Sequence, residues 1–226
     1  MFSIFVVRKK MMKMRKILRT IGLLVIMMTL VSVGTSAQTV FGFRAGGSYS
    51  SMAQKVEGTY RSGARCGFSV AGLADVHVYK RWSFRPEVAF VNEGGSFLSN
   101  YTVEGARNSY NKCNYYSIQI PLDAAYTFAI NDIHLGVFFG PSLDFSLFGK
   151  MNTENQNVDI NFGDTKDTDL KSFDLGVNVG VHVDYKQYFF AISSVFGTLD
   201  RRAVRGEGES SLYQNNVTLS LGYMFR

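Results

Sequence analysis

The chain has 226 residues, of which 46% are hydrophobic, and a formal net charge of +6. Seven of its 24 basic residues and none of its 18 acidic residues fall within positions 1–37, so the remaining 189 residues carry a net charge of −1. This near-neutral remainder excludes the basic composition typical of nucleic-acid-binding domains, and its length suits one domain.

The N-terminal segment has the three parts of a secretory signal peptide. A basic stretch at 8–19 precedes an apolar run at 21–33 and small residues at 34–37. The apolar run is shorter than the ~20 residues that a membrane-spanning helix needs. We therefore predict a signal peptide over residues 1–37, cleaved between Ala37 and Gln38, and a single exported domain over 38–226.

The exported part contains long segments in which apolar and polar residues alternate. Between 173 and 185 the odd positions are all apolar or aromatic, whereas the even positions are polar or Gly; residues 116–128 and 213–225 repeat the pattern. Period-two alternation indicates a strand with one apolar face. Strands of a soluble β-sandwich, the alternative, usually run ~5–6 residues, whereas a tilted membrane strand needs ~9–11. The lengths and the aromatic ends favour the membrane strand.

Eight such strands are predicted along the chain. They cover residues 40–50, 66–78, 82–92, 116–128, 133–148, 173–185, 188–198 and 213–225. Short connections at 79–81, 130–132 and 186–187 alternate with long polar ones at 51–65, 93–113, 149–171 and 199–212. This is typical of outer-membrane proteins, whose short turns face the periplasm. The predicted fold is all-β, an eight-stranded antiparallel up-and-down transmembrane β-barrel in the outer membrane of a Gram-negative bacterium.

The last strand ends in aromatic residues. Tyr223 and Phe225 stand close to the C-terminus, with Arg226 after them. This ending resembles the signal that the barrel-assembly machinery reads, so we expect that machinery to be a partner. No periplasmic wall-binding module is expected after the last strand.

Three further motifs resemble the PorT-type, porin-like family of outer-membrane β-barrels. They are Phe-Arg-Pro-Glu-Val-Ala-Phe at 84–90 leading into Glu-Gly-Gly at 93–95, Tyr-Ser-Ile-Gln-Ile-Pro-Leu at 116–122, and Gly-Pro-Ser at 140–142. The resemblance covers essentially the whole exported part. It implies a barrel in a functionally mixed family, one member of which assists a protein secretion system, and it implies no catalytic residues.

Charged residues occupy positions that alternation directs into the barrel. An eight-stranded barrel is only wide enough to be filled by side chains, and buried charges need partners. We therefore predict a structural ion-pair network in the lumen. Its members are Arg44, Asp75, His77, Arg85, Glu87, Asp123, His134, Asp174, His182 and Asp184.

The same residues leave a metal site as the sharper alternative. The three histidines are all predicted to face inward near the periplasmic rim, where Asp75 or Asp184 could join them. Their spacing matches no metal-binding motif, and no activated nucleophile is recognisable. We predict no metal, no cofactor and no catalytic residues.

The cysteines and the long connections leave several possibilities open. Cys66 and Cys113 are predicted to be free thiols, with a disulfide as the alternative. The segment 149–171 is predicted to be a solvated acidic loop, with a cation site as the alternative, and the basic segment 200–207 to contact lipopolysaccharide headgroups or the acidic loop. The residues concerned are Glu154, Asp159, Asp164, Asp167 and Asp169 in the first, and Arg201, Arg202 and Arg205 in the second.

The sequence as a whole predicts a non-enzymatic outer-membrane barrel with a structural or accessory role in the envelope. It would support protein secretion through its loops or its periplasmic rim, with outer-membrane lipid, lipopolysaccharide and a secretion or envelope complex as partners. Two alternatives stay open at this point: a small porin-like transporter with a narrow polar channel, and a surface adhesin or receptor.

Overall fold

The strands of the computed structural model account for most of the residues it describes, which are 39–56, 59–99, 109–153, 156–165, 168–203 and 210–226. The predicted signal peptide and the Ala37–Gln38 bond lie outside them. The strands are β1 (Thr39–Val56), β2 (Thr59–Tyr79), β3 (Trp82–Ser99), β4 (Ser109–Ile130), β5 (Ile133–Thr153), β6 (Gln156–Asp159), β7 (Phe173–Tyr185), β8 (Tyr188–Gly197) and β9 (Leu212–Met224).

Eight of these strands close into a barrel. The neighbours run β4-β3-β2-β1-β9-β8-β7-β5, and an additional pairing between β4 and β5 joins the ends of this row. The strand pairs are antiparallel, with β1 against β9 in continuous register from Gly42↔Met224 to Gln54↔Leu212. Closure leaves the eight strands without a free edge, which a lipid environment would not tolerate. The predicted fold class is confirmed.

The two ends of the barrel differ. At one end, which we call the turn end, two-residue turns join β2 to β3, β4 to β5 and β7 to β8, and each begins with a residue at positive φ: Lys80, Asn131 and Lys186. At the opposite end, the loop end, the connections from β3 to β4, from β6 to β7 and from β8 to β9 are longer, and the hairpin between β5 and the short β6 extends the wall.

Strands β1 to β5 run further toward the loop end than the sequence predicts. Much of the predicted loops 51–65 and 93–113 is strand, because pairs such as Ala53↔Tyr213 and Ser96↔Lys112 continue the ladder. The error has a physical cause. Backbone pairing continues beyond the lipid, but outward side chains there meet water and no longer need to be apolar, so the alternation that marks a membrane strand disappears.

Aromatic side chains form a belt near each end of the barrel. At the turn end Trp82 lies 4.9 Å from Tyr126, measured between ring centroids, and Tyr188 lies 5.4 Å from Tyr223. At the loop end Tyr116 lies 5.0 Å from Phe148. Tyr116 and Tyr126 are ten residues apart on β4, which matches the ~9–11 residues of a membrane crossing.

Candidate functional site

Ion pairs lie inside the lumen in its turn-end half. Arg44 on β1 forms a two-point salt bridge with Glu87 on β3, with 2.9 Å between Nε and Oε2. Arg85 donates to Asp75 Oδ2 from Nε (3.2 Å) and to the Nδ1 atom of His182, across the lumen, from Nη1 (3.1 Å). These pairs arise because charges at inward strand positions can escape the cost of burial only by meeting each other.

Other predicted lumen residues join the same interior. Asp123 accepts a hydrogen bond of 2.7 Å from Asn178 Nδ2. Asp184 is buried, and its Oδ2 accepts a 2.8 Å bond from Arg226 Nη2. Arg226, which the sequence placed only beside the assembly signal, therefore ties the end of the chain to the lumen.

The three histidines do not share one environment. His182 is buried and stacks on Phe138 at 6.0 Å, whereas His77 is exposed and His134 is half-buried. His77 and His134 line a turn-end cavity of about 280 Å³ together with Asp75 and Asp184. Within the described part of the chain, no group of three or more His, Cys, Asp or Glu side chains has the arrangement of a metal site.

A second charged cluster, nearer the loop end, was missed by the sequence reasoning except for Asp174. Glu93 accepts a 2.7 Å bond from Ser117, and Asp144 accepts one of 3.4 Å from Gln119. Asp174 faces Asp144 across the β5–β7 register. All three carboxyls are buried. Asp144 was detectable, since alternation between the outward Leu143 and Phe145 directs it inward, but Glu93 was assigned to a loop.

Arg201 inserts into this acidic cluster from the connection between β8 and β9. Its side chain is only 1% exposed and lies over the Tyr115 ring, and its Nη2 donates a 2.6 Å bond to Ser146. Burial alone would lower the pKa of the guanidinium, but the Tyr115 hydroxyl and the surrounding carboxyls, Asp144 first, hold it above its usual value.

Of the two contacts predicted for this basic connection, lipopolysaccharide headgroups or the acidic loop, the first is wrong for its two described arginines. Arg202 is buried as well, where its Nη2 donates a 2.9 Å bond to Gln54 and its guanidinium lies 5.4 Å from the centre of the Phe97 ring. Both arginines point into the barrel mouth because its carboxyls, amide and rings offer them partners there. Arg205 lies outside the described residues.

An apolar cap closes the loop end above the acidic cluster. Its buried members come from the strand extensions and from the connection after β6: Met52, Phe97, Cys113, Tyr115, Met151, Ile160, Phe162, Leu170 and Leu212. The predicted solvated loop 149–171 is thus wrong in part. Asp159, Asp164 and Asp169 are exposed, but Ile160, Phe162 and Leu170 turn inward because burying them removes apolar area from water. Glu154 and Asp167 lie outside the described side chains.

The two cysteines are free and lie in different environments. Cys66 is exposed on β2, whereas Cys113 is 2% exposed in the cap. Cys113 sits three residues beyond the loop-end belt residue Tyr116. Burial, with Asp169 nearby, raises the pKa of its thiol to about 12. These environments leave the two sulfurs without the approach that a disulfide needs.

We expect a maleimide reagent at pH 7.5 to label one thiol in the folded protein and two after denaturation. The thiolate is the reactive form, and Cys113 is both protonated and shielded by the cap. Mass spectrometry counts the labels. A Cys66→Ser variant should stay unlabelled until it is denatured; prompt labelling of that folded variant would mean that the cap is open.

The fold and its interior define a class of protein: a closed barrel with an apolar outer wall, aromatic belts at both ends and a lumen filled by paired charges. No helix among the described residues is long and apolar enough to span a membrane. Residues 36–198 match the family described as outer membrane protein beta-barrel domain, and the chain belongs to that family. Its wall therefore faces lipid.

Several solved structures are similar at low sequence identity. Neisserial surface protein A is 13% identical, with 82% of this chain and 97% of that chain covered and a TM-score of 0.45. OprG of Pseudomonas aeruginosa is 10% identical, with 84% of this chain and 97% of that chain covered and a TM-score of 0.43. Ail, the attachment invasion locus protein of Yersinia pestis, is 14% identical, with 84% of this chain and 100% of that chain covered and a TM-score of 0.41. No curated protein sequence matches this chain.

Proposed function

We propose that this protein is a non-conducting, non-enzymatic barrel with a structural or accessory role in the outer membrane of a Gram-negative bacterium. It acts through the surfaces at its two ends. The observation that carries the proposal is the state of the lumen: in its turn-end half the Arg44–Glu87 salt bridge is buried and Arg85 reaches across to His182, and the cap covers its loop end. A filled eight-stranded barrel leaves its rims and loops as the places where a partner binds.

The turn end supports the accessory role. Its cavity of about 280 Å³ is lined by cations and imidazoles, including Lys80, Arg81, His77 and His134, beside Asp75 and Asp184, and is large enough to receive a side chain of a partner. In an outer-membrane barrel this end faces the periplasm. A protein complex of the envelope, such as the secretion apparatus suggested by the PorT-type resemblance, would meet the barrel there.

Conductance tests the closed lumen. The folded protein, inserted in planar bilayers, is expected to give no stable current in 1 M KCl, because side chains fill the cross-section. An open porin of similar preparation serves as the positive control. Large, stable, voltage-independent currents would contradict the proposal and favour the transporter alternative.

Site-specific photo-crosslinking tests the accessory role. A photoreactive residue at Lys80 or Lys186, on the turn end, is expected to capture an envelope protein in intact cells. The matched position is Asn152, exposed on the wall at the loop end. Capture only from Asn152 would move the partner to the cell surface and favour an adhesin or receptor.

Deleting 149–171 is a poor test of the adhesin alternative, because the deletion would also remove Ile160, Phe162 and Leu170 from the cap. Substituting the exposed Asp164 and Thr165 leaves the cap intact. If bacteria carrying that variant, and bacteria lacking the protein, bind host cells as well as bacteria carrying the wild-type protein, the result would argue against an adhesin.

A further inference from the structure

A group of outward-facing cations lies just beyond the loop-end aromatic belt. Lys112 on β4 and Lys150 on β5 are both exposed. In the register of these strands Lys112 pairs with Asn152 and Asn114 pairs with Lys150, so the two lysines are diagonal neighbours on one face. Diagonal side chains in a sheet stand about 7–8 Å apart, within reach of long side chains. Two ammonium groups can therefore converge on one anion.

Arg65 on β2 reaches the same place. Its Nη1 donates to Asn114 Oδ1 (2.6 Å), Asn92 Oδ1 (3.1 Å) and the carbonyl oxygen of Glu93 (3.0 Å). The side chain crosses β3 at Gly94, where even a methyl group would lie 3.2 Å from the Arg65 Cδ atom. The guanidinium is thus held beside Asn114, next to the two lysines, and among the described residues only one of its terminal nitrogens, Nη1, donates a hydrogen bond.

The position of these cations relative to the lipid is fixed by the rings below them. Four rings form a continuous outward row, in the order Phe68, Phe90, Tyr116 and Phe148. The centroids of successive rings in this order are 6.3, 5.5 and 5.0 Å apart. Such rings mark the boundary between acyl chains and headgroups. Lys150 is two residues beyond Phe148, and Asn114 is two before Tyr116, so the cations stand at headgroup height.

A bulge in β5 is what turns Lys150 outward. The register of β4 with β5 shifts between Tyr116↔Phe148 and Ser117↔Ser146, which leaves Leu147 as an extra residue. On the turn-end side of the shift Phe145 faces outward, and on the loop-end side Phe148 and Lys150 do. Without the extra residue, Lys150 would point into the cap, so the bulge re-aims the charge.

One carboxylate adjoins the group. Asp159 on β6 stands opposite Lys150, but no ion pair joins these two described side chains. The three positive charges, on Arg65, Lys112 and Lys150, exceed the single negative charge of Asp159. The described charges of this face therefore sum to about +2. An anion with more than one charge is the ligand that such a face prefers.

We propose that the face formed by Arg65, Lys112, Asn114 and Lys150 binds the phosphorylated headgroup of an outer-leaflet glycolipid, the lipid A part of lipopolysaccharide. The lysines and the free guanidinium nitrogen contact the phosphate, and the aromatic row lies against the first acyl carbons. This inference depends on the membrane location of the wall and not on the accessory role proposed above. It assigns lipopolysaccharide contact to the outer wall instead of the buried Arg201 and Arg202.

The test is a titration of the folded protein in detergent with diphosphoryl lipid A, followed by microscale thermophoresis. A Lys112→Gln/Lys150→Gln variant should bind about thirty-fold more weakly, since each cation near an anionic headgroup contributes roughly 1 kcal/mol and tenfold corresponds to about 1.4 kcal/mol. Both lysines are exposed, so folding is preserved, which the heat-dependent shift in gel mobility checks.

The matched control is Lys80→Gln/Lys186→Gln. These turn-end lysines are also exposed and each lies over the ring of the preceding tyrosine, at 5.0 and 5.3 Å. The control variant should bind within twofold of the wild type. The wild type should bind fully dephosphorylated lipid A as weakly as the Lys112/Lys150 variant binds diphosphoryl lipid A. Inorganic phosphate at millimolar concentration should displace little diphosphoryl lipid A from the wild type.

Three results would overturn the proposal. One is equal affinity of the wild type and the Lys112/Lys150 variant, or no binding by either. Another is equal affinity for the dephosphorylated lipid, which would mean that the acyl chains alone bind. The third is full competition by inorganic phosphate, which would make the face a general anion site. None of these results depends on whether an envelope partner is captured at the turn end.

Discussion

Replacement of Glu87 by alanine is expected to lower the free energy of unfolding by about 3–5 kcal/mol, because it leaves the Arg44 guanidinium buried without its partner. Arg44 and Glu87 are both less than one-tenth exposed. Urea titration of the folded barrel, monitored by Trp82 fluorescence and by gel mobility without boiling, measures the change. A double variant, Arg44→Met/Glu87→Leu, should recover most of the loss, because it removes both charges and fills the space.

The control for this prediction is Ser48→Ala on the same strand as Arg44. Ser48 is buried and its hydroxyl donates a 3.0 Å bond to the carbonyl oxygen of Asn92, so its loss removes a neutral hydrogen bond worth about 1 kcal/mol. If Glu87→Ala costs no more than Ser48→Ala, the salt bridge does not fix the interior of the barrel, and the proposal of a non-conducting lumen loses one of its physical supports.

Replacement of Gly94 by alanine is expected to cost about 3 kcal/mol, from backbone strain and from overpacking together. Gly94 has a φ of +144°, a conformation that L side chains rarely adopt. A Cβ atom there would lie 2.2 Å from the carbonyl oxygen of Cys113, and a backbone atom within a paired strand cannot easily move aside. The same urea titration measures the effect.

Gly72→Ala is the matched control. Gly72 faces outward on β2, and a Cβ atom added there would meet no atom within 4 Å. The change should be neutral or slightly stabilising, because alanine restricts the unfolded chain more than glycine does. A similar loss of stability in both variants would show that strand propensity, and not the crowding at Gly94, governs these positions.

The same crowding links stability to the proposed headgroup face. Arg65 crosses β3 over Gly94 on its way to Asn114. Alanine at position 94 should therefore displace the guanidinium as well as strain the backbone, whereas Gly72→Ala leaves it in place. Any Gly94→Ala protein that still folds is expected to bind diphosphoryl lipid A more weakly than Gly72→Ala does.

The sequence by itself determined the parts of this protein that lipid controls. Between the aromatic belts most outward side chains are apolar, so alternation appears in the residues themselves, as in Phe173–Tyr185, and the eight strands and the short turns between them could be predicted from it. Inward charges such as Arg44 and Glu87 were also detectable, since the same alternation that turns apolar residues outward turns them inward.

The partners of those charges were decided only by the tertiary structure. Arg44 meets Glu87 across 43 positions of sequence, and Arg85 meets His182 across 97, because strand register and closure bring distant inward positions together. Local patterns carry no information about such pairs.

Beyond the loop-end belt the sequence signal failed for another reason. There water replaces lipid outside, so strand extensions such as those of β2 and β4 have the composition of loops, and Arg201 and Arg202 look solvated although they are buried. Only closure of the barrel creates the mouth that receives them, and only the bulge at Leu147 decides that Lys150 faces outward instead of into the cap. Lipid imposes a regular pattern on each strand, whereas the environment of every residue beyond the lipid depends on which distant strands surround it.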